Sequence, residues 1–177
     1  MFDLYSMRAI RVIFAARYKA GERGSDVIDV GDLVVGLVLE DQGKMGDVLF
    51  QPSPGDVVID ELDAHPPFIQ PEAAARLLLT VDNIITHSTH ASTRGDLPVA
   101  AGLQALFKVA EEIREELGHE RIEPLHLMAG VIREESGLFP NELQAVGITQ
   151  DLVMAKLREE PKRNRRAIAS DNSPSRR

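Results

Sequence analysis

The residues with chemistry to offer are few. Asp29, Asp32, Glu123 and His126 stand where two apolar, helix-patterned stretches begin, as Asp29-Val30-Gly31-Asp32 and Glu123-Pro124-Leu125-His126. Carboxylates at such places can accept the unpaired N–H groups of a helix's first turn, or receive a basic group from a ligand. Capping is the simpler role, and a helix start also favours anions whatever its side chains. His126 is expected to be a structural hydrogen-bonding residue. His119 follows a glycine and should face solvent or pack on the turn, and His65 precedes two prolines in a loop. His87 and His90 sit three apart in THSTH. On a helix they would share a face and could hold a metal with Asp82 or Asp96. The stretch around them reads as a polar linker, so no metal and no cofactor are assigned.

Other chemistries lack their residues. There is no cysteine, which removes disulfides, thiolate metal sites and a cysteine nucleophile. No serine lies in G-x-S-x-G, and no glycine-rich phosphate loop follows a strand. Glu111, Glu112, Glu115 and Glu116 read as a solvated charge run. No active site can be assembled, and the chain is not expected to be an enzyme.

The elements that position the four residues occur twice. Residues 16–43 and 110–137 align at a constant offset of 94. The offset pairs Ala16 with Ala110, Glu22 with Glu116, Gly24 with Gly118, Ile28 with Ile122, Leu33 with Leu127, Gly36 with Gly130, Glu40 with Glu134 and Gly43 with Gly137. One small helical unit has been duplicated, and any fold must accommodate both copies. The first helix of each unit runs from Ser6 to about Arg23, and from about Val99 to Leu117, each stopped by a glycine (Gly24, Gly118). The second helix starts after Ile28 or Ile122, with inward stripes Leu33, Val34, Leu37, Val38 and Leu127, Met128, Val131, Ile132. A mid-helix glycine costs about 1 kcal/mol relative to alanine. Its presence in both copies, at Gly36 and Gly130, predicts the close approach of another helix.

The second unit continues with a short helix from Pro140 to Val146, closed by Gly147, and a last helix capped by Thr149 and reaching about Arg158. In the first unit Met45 to Phe50 is the corresponding short helix, QPSPG breaks it, and Val57, Val58 and Ile59 read as extended. Pro71 opens a helix with Leu77, Leu78, Val81, Ile84 and Ile85 apolar. The resulting plan is a domain over residues 1–160: repeat one at about 2–86, a linker at about 87–96, and repeat two at about 97–158. Residues 161–177 form a basic tail with too few apolar residues to pack, expected to be disordered and solubilising. The tail's balance of +5 within a chain of −8 leaves −13 on residues 1–160. Phosphates would be repelled by such a body, which argues against nucleic acid as its ligand and suits basic partners or basic peptides, with plain solubility as the equally simple reading. No apolar run approaches the ~20 residues of a membrane span, and MFDLYSMRAI lacks the pattern of a secretory signal, so a soluble, cytoplasmic protein is expected.

These features resemble the N-terminal domain of the Clp/heat-shock AAA+ unfoldases, the Clp repeat or R domain. The resemblance rests on LGHERIEPLHLMAGVIREESG at 117–137 and RAIRVIFAARYKAGERGSDVI at 8–28, with MFDLYS and GDLPVA where such domains open their repeats. It covers nearly all of residues 2–158, and the long offset places extra residues in the 50–96 region. It implies an all-α, pseudo-twofold tandem repeat of two four-helix units, about eight helices. The implied function is a peptide- or protein-binding module for substrates or adaptors in Clp-dependent proteolysis. Its implied partners are a Clp ATPase, an adaptor or a protease subunit. An alternative is a structural accessory subunit on a Clp protease core. No G-x-x-x-x-G-K-[ST] occurs, so a stand-alone repeat protein without ATPase modules is expected. In the family the second helix typically begins Gly-Thr-Glu-His, and only His126 matches here. The acidic residue implicated in phosphoarginine recognition in some members is replaced by Gly31 and Leu125. Asp29, Asp32, Glu123 and His126 are the residues the resemblance offers for peptide or adaptor binding.

Overall fold

The computed structural model describes residues 3–46, 65–85, 96–133, 137 and 139–159. Among them are seven helices and no strand. The first repeat supplies α1 (Met7–Glu22), α2 (Val30–Asp41) and α3 (Pro71–Ile84). The second supplies α4 (Ala101–Leu117), α5 (Pro124–Arg133), α6 (Phe139–Ala145) and α7 (Gln150–Glu159). The expected helix at Met45–Phe50 lies outside the described residues beyond Gly46, as do the extended stretch at 57–59, His87 and His90, the linker up to Arg94 and Gly95, and the tail.

Each repeat is built around one helix hairpin. Ser6 caps α1 by accepting the Ala9 N–H at 3.1 Å, and Gly24 turns the chain with φ 74°. The counterpart turn after α4 uses Gly118 at φ 70°. Both glycines take a left-handed conformation that other L-residues adopt only with strain. The hairpin helices α1 and α2 then pack along their length, as do α4 and α5. The mid-helix glycines allow that approach. A Cβ on Gly36 would stand 2.5 Å from the carbonyl oxygen of Val12, and one on Gly130 would stand 3.0 Å from that of Leu106. Val12 and Leu106 are themselves 94 apart, so the duplication preserves the contact and not only the residue.

The repeats are tied together by exchanged backbone pairs. Ser6 donates to the Ile122 carbonyl at 3.0 Å, and Ile122 donates to that of Leu4 at 2.6 Å. The offset converts these into Ala100 donating to Ile28 and Ile28 donating to Pro98, both at 2.9 Å, and both are present. The segment leading into the first helix of each repeat therefore pairs with the residue before the second helix of the other. Helices α2 and α5 meet between the repeats, and α1 also packs on α5. The predicted stripes fill one core: Leu33, Val34, Leu37, Val38, Leu127, Met128 and Val131 are buried, with Ile132 at its edge.

The later elements close the ends. Helix α6 begins one residue before the expected Pro140, Gly147 follows it at φ 86°, and Thr149 Oγ1 accepts the Leu152 N–H at 3.3 Å to start α7. Helix α3 packs on α2 and reaches α6 of the other repeat. Asp41, at the end of α2, accepts the Phe68 and Ile69 N–H groups at 2.8 and 2.9 Å, which fixes the approach to α3.

Candidate functional site

The four residues singled out by the sequence form two equivalent helix starts. At the first, Asp29 Oδ1 accepts the Asp32 N–H at 3.2 Å and Asp32 Oδ2 accepts the Asp29 N–H at 2.9 Å, a reciprocal capping box. At the second, His126 Nδ1 accepts the Glu123 N–H at 2.9 Å. Position 126 is position 32 plus 94, so an imidazole nitrogen does in one repeat what a carboxylate oxygen does in the other.

Different neighbours support the two. Arg23, buried at the end of α1, bonds Asp32 through Nε and Nη2, both at 2.7 Å, and Asp29 through Nη2 at 2.6 Å. Hydrogen bonding to Asp32 is the largest influence raising the Arg23 pKa. Asp32 is fully buried, and loss of hydration raises its carboxyl above the ordinary value despite the arginine. In the second repeat Leu117 takes the place of Arg23, and a histidine pair takes the place of the ion pair. His126 Nε2 lies 2.9 Å from Nδ1 of His119, with the rings edge to face. Burial first, and the neighbouring His119 second, push His126 down to about 4.

His119 is 4% exposed, so of its two expected placements the packed one is correct and the solvent-facing one is not. It is held by the turn itself: its N–H donates to the Arg114 carbonyl, and Arg114 Nη1 donates to its carbonyl at 3.1 Å. Asp32 and His126 are fully buried and present no atom to a ligand in this conformation. Asp29, with its side chain 38% exposed, and the half-buried Glu123 are the two members that reach the surface. Glu123 also accepts the Ser6 hydroxyl at 2.8 Å, joining the second helix start to the first repeat's α1.

At Gly31, where the resemblance would place an acidic residue, the space is already covered. A Cβ on Gly31 would lie 2.5 Å from Ile85 Cγ2 and 3.0 Å from Phe139 Cζ. Residues from the end of α3 and the start of α6 cover the space into which a side chain there would project. Sequence reasoning missed Arg23, Ser6 as a cross-repeat link, and the ion pair of Arg8 with buried Glu40 at 2.6 Å, where His65 Nε2 also approaches Arg8 to 2.7 Å. The identity of Glu40 with Glu134 was the only available signal for the last. Among the described residues no group of three His, Asp or Glu could hold a metal ion, and no helix is long and apolar enough to cross a membrane.

Comparison with known proteins agrees with this architecture. Residues 99–176 match the family of the Clp repeat (R) N-terminal domain. The chloroplastic chaperone protein ClpD of Arabidopsis thaliana is 25% identical over 159 residues, which cover 88% of this chain but 15% of that relative's length. Among solved structures, the N-terminal domain of Arabidopsis thaliana ClpD is similar with a TM-score of 0.57 at 19% identity, over 89% of this chain and 96% of that one. The Hsp104 N-terminal domain of Candida albicans gives 0.55 at 11% identity, over 88% and 89%. A structure from a study of a malarial protein secretion system gives 0.63 at 18% identity, over 87% and 92%. The family match falls on the second repeat and its following residues, and the solved structures share the fold of the whole described chain: the duplicated hairpins with exchanged pairing have the fold of the Clp-type N-terminal domains.

Proposed function

We propose that this domain binds a protein segment, a substrate or an adaptor of Clp-dependent proteolysis, and performs no chemistry of its own. The observation that supports this is the paired helix start: a buried residue (Asp32, His126) holds the backbone while the residue three before it (Asp29, Glu123) carries a carboxylate to the surface. A carboxylate has about four acceptor positions, and the internal bonds of Asp29 and Glu123 leave capacity for a basic group. The acidic balance of the chain, 28 Asp and Glu against 20 Lys and Arg, favours such a ligand at long range.

The test is calorimetric titration of the full chain with a lysine- and arginine-containing peptide. Asp29→Asn and Glu123→Gln keep the shape and the acceptor oxygen while removing the charge. Combined, they should weaken binding about tenfold without moving the urea midpoint by more than the loss of one cap. Equal affinity in wild type and double variant, or no binding by wild type, would remove these residues from the ligand surface.

A further inference from the structure

The two surface carboxylates differ in what already answers their charge. Asp29 is engaged at both oxygens: Oδ1 accepts the Asp32 N–H, and Oδ2 lies 2.6 Å from Nη2 of the buried Arg23. A ligand cation there must compete with a guanidinium already in place, and the other acid of that group, Asp32, is fully buried. Glu123 is engaged at one oxygen only, and by a neutral donor, the Ser6 hydroxyl at 2.8 Å. Leu117 stands where Arg23 would, and the supporting side chains are imidazoles. Arg8 is close enough for Glu123 to act on it, yet gives Nε and Nη2 to Glu40 at 2.6 and 2.9 Å. Arg121, two residues before Glu123, is exposed. Among the described residues no cation bonds Glu123. A half-buried carboxylate in that state has given up hydration without gaining a counter-charge, so a cation from outside is favoured there.

The apolar surroundings are unequal in the same sense. The segment entering α1 pairs with Ile122, the residue before Glu123, and leaves Leu4 38% and Met7 64% exposed, two residues before Ser6 and one after it. The offset of 94 turns Leu4, Ser6 and Met7 into Pro98, Ala100 and Ala101 in the segment that pairs beside Asp29. Those residues offer neither a hydroxyl nor a long apolar side chain. An ammonium on a flexible hydrocarbon stem matches the Glu123 side, with its head on the carboxylate and its methylenes along Leu4 and Met7. A guanidinium fork gains its advantage when both oxygens of a carboxylate are open, and here Ser6 holds one. We propose that the protein segment bound by this domain is recognised at one helix start and not at both, through a lysine seated on Glu123 between Leu4 and Met7. The proposal rests on the protein-binding reading above and names its site and its ligand residue. Asp29, paired with Arg23, serves the fold.

The experiment is calorimetric titration of the full chain with two peptides that differ at a single position, lysine in one and arginine in the other. Wild type should bind one lysine peptide per chain. Glu123→Gln, which keeps an acceptor for the Ser6 hydroxyl, should weaken it about tenfold, and Asp29→Asn should leave it unaltered. Met7→Ser, at an exposed position whose loss does not threaten the fold, should also weaken it, and the arginine peptide should bind no more tightly than the lysine one. Circular dichroism of each variant should match wild type. Two peptides bound per chain, equal losses in the two single acid variants, or a loss confined to Asp29→Asn overturns the proposal while leaving the protein-binding reading intact. So does undiminished binding by Met7→Ser, or an arginine peptide that binds about tenfold more tightly than the lysine one. Wild type that binds neither peptide removes the protein-binding reading for these residues and the proposal with it.

Discussion

The buried histidine pair makes stability depend on pH in a direction the geometry fixes. His126 Nδ1 accepts the Glu123 N–H, so its ring proton sits on Nε2 and donates to His119 Nδ1 across 2.9 Å. A second proton on His126 would have to replace the bond that starts α5, on a ring that is fully buried. Burial and His119 accordingly lower its pKa from 6.5 to about 4. The unfolded chain takes up this proton near pH 6.5 and the folded one only near pH 4, so acidification between those values favours unfolding. The contribution is complete above pH 6.5, is lost progressively as pH falls towards 4, and is flat below. At about 1.4 kcal/mol per unit, the full span is worth roughly 3 kcal/mol. Urea unfolding followed by circular dichroism from pH 7.5 to 4.5 measures it, with His126→Asn as reference. Asparagine retains an acceptor for the Glu123 N–H, as Asp32 does for Asp29, and does not titrate. Wild type should lose about 2.5 kcal/mol more than the variant over this range. Parallel curves for the two proteins would refute the reasoning, because His126 would then bind its proton equally in both states.

Three further outcomes follow from the packing. Gly36→Ala gains about 1 kcal/mol of helix propensity but drives a methyl against a backbone oxygen at 2.5 Å, so α1 and α2 must separate. The net loss should be about 1–3 kcal/mol and should exceed that of Gly130→Ala, where the nearest side-chain atoms belong to Leu106 and can move; the reverse order in thermal unfolding would contradict it. Arg23→Ala leaves Asp32 buried without its arginine and should cost about 3–5 kcal/mol, with Asp32→Asn in the same chain recovering part of the loss in urea titrations. Ser6→Ala removes both the cap of α1 and the bond to Glu123, and should lower stability by about 0.5–2 kcal/mol, whereas Thr149→Ala, which loses only a 3.3 Å cap bond, should fall at the low end.

The hairpins were legible because their signals are local and repeated. Glycine after each first helix, apolar residues at helical spacing and a capping residue before each second helix are properties of a few neighbouring positions. The duplication marked which of them matter, and the glycines at 36 and 130 announced a close contact that the structure contains. Arg23 was illegible for the opposite reason. Its role depends on bringing the end of α1 back over the start of α2, and nothing in the residues 23 to 32 distinguishes that from an exposed arginine. His119 was left between two placements because burial of a polar residue after a turn depends on what faces the turn, here His126. The helix starts at Asp29 and Glu123 were visible as caps, yet the split between a buried supporting residue and a surface carboxylate appears only once the helices are packed.

The exchanged backbone pairs explain why two repeats of this kind stay together. A helix hairpin buries one face only, and two hairpins could in principle be joined through side chains alone. Here Leu4, Ser6 and Ile122 on one side, and Pro98, Ala100 and Ile28 on the other, commit main-chain groups of each repeat to the other. Removing one repeat would therefore expose the second hairpin's core and strip the hydrogen-bonding partner from the residue that precedes its second helix. That residue, Ile28 or Ile122, stands directly before Asp29 or Glu123. The surface carboxylate of each repeat is thus positioned by the entry segment of the opposite one. The symmetry is retained in the backbone while the side chains have diverged, an aspartate and arginine in one copy and two histidines in the other. Ser6 and Glu123 show how far the divergence extends: the first repeat's α1 reaches Glu123 through a serine hydroxyl, but the equivalent residue to Ser6 is Ala100, which has none. Two helix starts equivalent in backbone thus present unequal side chains and neighbours without any change of fold.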